Sequence, residues 1–561
     1  MTLSSLANAA VLLTWAAPVA ASLLLSLLGG RIPRRGLTLL SLSGSALPLL
    51  CGGFLLGLRW LDPGSAPPAP DGTALWALLL SSFLALGALW QAQRSVAAFS
   101  GRHRFYALMM LLLAAAGFLF TRAALDLAFL VGWEGLSLSG GFLAGFWAIE
   151  ERGGRTGVHW LLLGRVSGLL LLLSLLTAAG PHPEWSTSLL LAAALVRAGV
   201  VPFHGTVPEL GRSRSTAALL VQTLASWVPA VFLLDRVQDS LERFPVLLDW
   251  LLWLSLASVA FSLVAAMQPQ APQKIVGWLT MSAGSLALLG FAAGDPVAAL
   301  TLCAGGALLL AGRFLLNGRP EAETGPDEIA AGPIFRLRAV SLASAVVAMA
   351  PPALWFAGCA RLLAAAAGDE RGAWITAAVF AVQFGMGAAL RRLHEALPAE
   401  EGARCWPWPA LLFSVGHLIV GAAGILLFGE AFWGGATGIR LGLGAVLAAG
   451  AGWLLAGSFA RLKVAPRFIG ARRLMELLAD TGLGLGRLVI LLPVGLAKAL
   501  GVVLWRLLGD ILIDGLGTGL PVRTVEGTGL VLRHLHDGRI RRTLLIAAWT
   551  ALALLWAWTR S

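Results

Sequence analysis

The stretch from Asp126 to Trp147, DLAFLVGWEGLSLSGGFLAGFW, carries one carboxylate, Glu134, in the middle of an apolar run. About 20 such residues suffice to cross a bilayer. A charge at that depth is expensive, so it must face protein or trapped water rather than lipid. Two kinds of chemistry are open to it. It can bind and release a proton, or it can pin two helices together through an ion pair. Gly132, Gly135, Gly140, Gly141 and Gly145 surround it, with Ser137 and Ser139 between them. Small residues at this density let another helix approach closely.

A proton pathway also needs bases. The only lysines are Lys274, Lys463 and Lys498, and every other strong base is arginine. A buried lysine can lose its proton at useful pH, whereas arginine effectively cannot. Cys51, Cys303, Cys359 and Cys405 are far apart and form no disulfide or metal pattern. His103, His159, His204, His534 and His536 share no ligand spacing. No glycine-rich phosphate loop and no nucleophile triad appears, and the glycines from Gly482 to Gly486 follow no strand. No metal or cofactor is therefore expected on this chain.

These residues must be positioned by membrane helices. Of 561 residues, 58% are hydrophobic and 12% charged, and the mean hydropathy is +0.81. No soluble globular class fits those values. The expected class is an all-α polytopic membrane protein. The net charge of +12 is scattered through short loops, so it reads as a topology signal rather than a nucleic-acid surface. The first residues lack a basic run and a cleavage site, which makes 6–29 a retained helix.

Hydropathy gives about 16 spans, at 6–29, 37–59, 73–92, 105–121, 124–149, 158–179, 187–203, 215–235, 246–267, 274–293, 296–317, 338–364, 373–390, 409–429, 437–460 and 542–559. Arginines cluster in alternate loops, which puts both termini outside and the basic loops in the cytoplasm. Discontinuous helices are expected where Arg197, Pro202, His204 and Pro208 follow one another, and at Pro351–Pro352. Residues 471–541 are apolar but punctuated by Glu476, Asp480, Arg487, Lys498, Arg506, Asp510 and Asp514. An amphipathic segment lying along the interface fits that pattern. The expected organisation is N-terminal helices over 1–123, a core over 124–460, a lateral helix over 461–541 and a last span over 542–561.

Arg104-Phe105-Tyr106, Leu130 to Gly135, Gly164-Arg165-Val166, Pro202-Phe203-His204 and Thr280-Met281-Ser282 together resemble motifs of the antiporter-like membrane subunits of respiratory complex I, above all the large distal subunit L. That family includes the large Mrp antiporter subunit and the membrane partner of a bacterial inorganic-carbon accumulation complex. Arg104-Phe105-Tyr106 is similar to the RFF/RFY that opens the family's fourth helix. Leu130-Val131-Gly132-Trp133-Glu134-Gly135, running on to Gly145-Phe146-Trp147, resembles LGWEG…GFW. Gly164-Arg165-Val166 resembles part of NRVGD, Pro202-Phe203-His204 with Pro208-Glu209 resembles PLHTWLPDAM, and Thr280-Met281-Ser282 resembles STMS. Ile513-Asp514-Gly515 and the run from His536 to Arg541 resemble the ends of the lateral helix.

The resemblance implies inverted repeats, each half carrying a proton pathway. A glutamate on the fifth helix pairs with a lysine on the broken seventh, and further lysines and histidines continue the path. Carried over, it gives a buried pair of Glu134 with Arg197, near Arg165, His204 and Gln222. Arg197 stands for the lysine, Gln222 for a histidine, and Gly168 for the aspartate of NRVGD. In the second half the pathway positions fall near Leu302, Gly306, Leu310 and Cys359. Arg313, Arg361 and His417 are the remaining polar candidates in that half's spans.

The function implied is a membrane-arm subunit of a complex I–like NADH–quinone oxidoreductase in a bacterial inner membrane. Such a subunit takes part in or scaffolds proton translocation coupled to quinone reduction, and is not itself a redox enzyme. NADH, FMN, iron–sulfur clusters and quinone would sit in partner subunits. The alternatives are a membrane subunit of an inorganic-carbon accumulation complex and a cation/proton antiporter subunit. The expected partners are other membrane-arm subunits and lipid.

Overall fold

A backbone in hydrocarbon must satisfy its own N–H and C=O groups, and a leucine- and alanine-rich chain does so as helices. The computed structural model describes residues 3–61, 71–95, 101–122, 124–146, 151–206, 221–268, 272–317, 353–367, 371–395 and 434–461, the pairs 335–336 and 404–405, and single positions at 346, 349, 351, 549 and 552. The helices are α1 (Leu3–Leu28), α2 (Arg34–Leu61), α3 (Gly72–Ser95), α4 (Arg102–Phe120), α5 (Leu127–Gly145), α6 (Glu151–Thr177) and α7 (Pro183–Ala198). They continue as α8 (Val228–Arg236), α9 (Gln238–Glu242), α10 (Pro245–Ala266), α11 (Pro272–Ala292), α12 (Pro296–Asn317), α13 (Leu354–Ala366), α14 (Gly372–Glu395) and α15 (Gly435–Arg461). A 3₁₀ turn at His204–Thr206 and a π-helical turn at Thr223–Trp227 interrupt the series. The two-residue strands β1 (Phe335–Arg336) and β2 (Arg404–Cys405) pair antiparallel.

Among the described residues, 10 helices are long and apolar enough to cross a membrane. Each corresponds to a span expected from hydropathy. Of the other six expected spans, 409–429 lies outside the described residues, and 542–559 does so apart from positions 549 and 552. Three more appear as α12, whose apolar stretch is Pro296–Leu310, and the shorter helices α7 and α13. The span at 215–235 is described from residue 221, as the π turn followed by α8. Contacts divide the chain into two units, 1–483 and 484–561, and the helices named here all belong to the first. The expected lateral helix at 461–541 lies outside the described residues beyond Arg461.

Helices neighbouring in sequence pack against each other. α5 lies between α4 and α6, α6 meets α7, and α10, α11, α12 and α13 follow in turn, with α14 and α15 closing on α13. α4 and α11 are the enclosed helices, with 83% and 100% of their apolar windows buried by other parts of the chain. At the edges, Leu27, Leu39, Leu447 and Leu454 are exposed, as lipid-facing side chains are. Ion pairs fasten the ends. Asp71 caps α3 and pairs with Arg236 at 2.5 Å, and Asp295 caps α12 and pairs with Arg361 at 2.7 Å.

Candidate functional site: the charged cluster at the break of α7

α5 starts where the Asp126 carboxylate accepts the Phe129 N–H at 2.8 Å. At about 1.5 Å per residue, Glu134 lies on the order of 12 Å along the helix. Close approach by α6 decides where its side chain goes. A Cβ on Gly157 would come within 2.8 Å of the Gly145 Cα, and one on Gly164 within 2.8 Å of the Ser137 Cβ. One turn further, a Cβ on Gly168 would collide with the Glu134 carboxylate. Glycine at 168 is what lets that carboxylate rest on α6. There Arg165 Nη2 stands 2.5 Å from Glu134 Oε2.

The expected pair of Glu134 with Arg197 is therefore corrected. Arg197, in the last turn of α7, donates from Nη1 to Ser137 Oγ and from Nη2 to the Trp133 carbonyl, both at 2.5 Å. Its guanidinium lies 4.3 Å over the Trp133 ring. The reason is helical phase. Trp133 and Ser137 are four apart and share the face toward α7, whereas Glu134 is turned about 100° from Trp133. Trp133 is fixed in turn: its Nε1 donates to Ser167 Oγ at 3.1 Å, and that hydroxyl donates to the Ala193 carbonyl at 2.8 Å.

The break follows Arg197 directly. Gly199 takes φ +67°, the left-handed cap that ends many helices, and its N–H returns to the Val196 carbonyl at 3.2 Å. The carbonyls freed at this end find partners on the π turn. Ser226 Oγ donates to the Arg197 carbonyl at 2.6 Å, and Trp227 Nε1 to the Ala198 carbonyl at 3.1 Å. Ser226→Ala should lower stability by about 1–3 kcal/mol, because a buried carbonyl at a broken helix end then loses its donor. A thermal unfolding midpoint measured in detergent reads this loss.

A cavity of about 20 Å³ opens beside the break, lined by Trp160, Leu163, Gly164, Val196, Arg197, Gly199, Gln222 and Ser226. Gln222 thus joins the cluster, with Nε2 3.5 Å from the Gly277 carbonyl. His204 does not. It is fully buried, with its ring 4.5 Å from Phe261 and 6.0 Å from Trp278, between α10 and α11. Trp133 and Ser137 were missed as ligands of Arg197, although both flank Glu134 in the motif. Trp160 was missed because an aromatic residue in an apolar helix reads as core.

The second half holds packed apolar groups at its expected pathway positions. Leu302 sits against Gly358, and Ala283 and the Trp355 ring occupy the space beside Gly306. Leu310 is fully buried, and Cys359 accepts from Gln383 Nε2 at 3.1 Å. Arg361 serves Asp295, His417 lies outside the described residues, and nothing is described of the Arg313 side chain. Among the described residues no three His, Cys, Asp or Glu side chains stand close enough to hold a metal.

This arrangement, membrane helices around a broken helix with a carboxylate beside the break, has the antiporter-like fold. The chain is similar to a chain of the Mrp complex from Dietzia sp. DQ12-45-1b, with a TM-score of 0.67 and 20% identity over 94% of this chain. It covers 62% of that chain, so it spans about three-fifths of its length. It is also similar to a chain of the membrane-bound sulfane sulfur reductase, an archaeal respiratory membrane complex, with a TM-score of 0.62 and 14% identity, covering 79% of this chain and 99% of that one. A chain of respiratory complex I from Thermus thermophilus with bound aureothin matches with a TM-score of 0.48 and 22% identity, covering 79% of this chain and 98% of that one. At these identities the first two likenesses establish the fold. No family model and no curated protein matches the chain.

Proposed function

We infer that this chain is a membrane-arm subunit of a complex I–like NADH–quinone oxidoreductase, in which it scaffolds proton translocation. The observation that carries the reading is the Glu134 carboxylate, held by Arg165 beside the break of α7 in an antiporter-like fold. The fold it shares with chains of the Mrp complex and of an archaeal respiratory membrane complex supports membership of a multi-subunit assembly. In this reading electron transfer stays in partner subunits that carry FMN, iron–sulfur clusters and quinone. Proton movement stays with partners that own lysines, because arginine at 197 holds its charge at every physiological pH. The chain then sits in a bacterial inner membrane with both termini outside.

A second reading rests on the same arginine. The lack of any lysine between Lys274 and Lys463 also suits a membrane subunit of an inorganic-carbon accumulation complex. Deletion of the gene separates the two. The first reading expects membranes that no longer reduce quinone with NADH at the wild-type rate. An unchanged rate, with growth that now demands added CO2, would contradict it and favour the second.

A further inference from the structure

The charges around α7 do not balance. Among the described residues, Glu134 is the one acid acting on Arg197, and Arg165 opposes it. Glu134 is already engaged by Arg165 at 2.5 Å. Arg197 is 5% exposed, and the groups it donates to, Ser137 Oγ and the Trp133 carbonyl, are neutral. One net positive charge is left in the interior of a membrane protein, where an uncompensated charge is strongly unfavourable.

Two donors on residues that line one cavity have no acceptor. Arg197 Nε and Trp160 Nε1 are both buried and without a hydrogen-bond partner, and Trp160 is 7% exposed. Both residues line the cavity of about 20 Å³, beside Gln222 and Ser226. About 10–15 Å³ is enough for one water-sized occupant. We propose that this cavity binds a single small inorganic monovalent anion of chloride size, which accepts from Arg197 Nε and Trp160 Nε1 and neutralises Arg197. A water molecule would meet the two donors but leave the charge. An anion answers both deficits at once. Large oxyanions exceed the volume.

The proposal does not rest on the assignment to a quinone oxidoreductase. It is tested on the full-length chain purified without halide, with sodium chloride titrated against sodium gluconate at constant ionic strength. Chloride should raise the thermal midpoint saturably, and radioactive chloride should bind at about one per chain. Trp160→Phe keeps the ring but removes the N–H, and should weaken chloride binding about tenfold, equal to about 1.4 kcal/mol. Gln222→Glu supplies a fixed carboxylate on the cavity wall and should make the midpoint independent of chloride. Equal midpoints in both salts would mean that the cavity holds water only. Undiminished chloride binding in both variants would place the ion elsewhere. Either result overturns the proposal.

Discussion

Glu134→Gln is expected to lower stability by about 3–5 kcal/mol, the loss seen when one partner of a buried ion pair is removed. The substitution leaves Arg165 without its carboxylate and takes away the one negative charge that, among the described residues, acts on Arg197. Arg165 and Glu134 are 42% and 22% exposed on this chain alone, and charges at that depth are expected to meet protein or trapped water rather than lipid. The rescue pattern identifies the partner. Glu134→Gln combined with Arg165→Gln removes both charges of the pair and should recover most of the loss. Glu134→Gln combined with Arg197→Gln should recover little, because Arg165 stays unpaired and the Trp133 carbonyl loses its donor. Thermal midpoints of the single and double variants in one detergent decide this. Full recovery with the Arg197 combination would put the pair where the motif alone had placed it.

The second large effect is expected at a residue that carries no charge. Gly168→Val should separate Glu134 from Arg165 while deleting neither. A Cβ at 168 runs into the Glu134 carboxylate, and a β-branched side chain cannot turn both γ carbons away. The carboxylate must leave α6, so the expected loss approaches that of Glu134→Gln, about 3 kcal/mol. Gly168→Ala asks less, since the far end of a glutamate can shift by a fraction of an ångström. A loss of about 1–2 kcal/mol is expected there. The midpoints should fall in the order glycine, alanine, valine. A valine variant as stable as the original would show that the carboxylate does not depend on this clearance.

The sequence reveals what depends on composition and short motifs, and misses what depends on phase. Glu134 stands out because a carboxylate inside an apolar run has few innocent explanations. The break after Arg197 is marked by Gly199 and Pro202, a left-handed glycine and a residue without an N–H. The helix nevertheless ends at Ala198, earlier than the hydropathy span to 203, because Val200 to Phe203 remain apolar while leaving the helical path. The resemblance carried Arg197 onto the family's lysine and so made it the partner of Glu134, whereas Arg165 is the arginine that stands against the carboxylate. The choice is made by two tertiary facts, the bare surface at Gly168 and the stacking of Arg197 on Trp133. Asp71 caps α3 and pairs with Arg236 across more than 160 residues. Nothing local to either residue announces that pairing. The cavity beside Trp160 and Gln222 was equally hidden, since it exists only where three elements meet.

We propose that this chain works inside a multi-subunit respiratory membrane arm. Gentle-detergent purification of the tagged full-length chain, with its companions identified by mass spectrometry, tests it most directly. The expected result is recovery of quinone-reductase membrane subunits together with iron–sulfur subunits, in fixed proportion to this chain. Recovery of one large soluble partner without redox subunits would contradict it, and so would recovery of the chain alone.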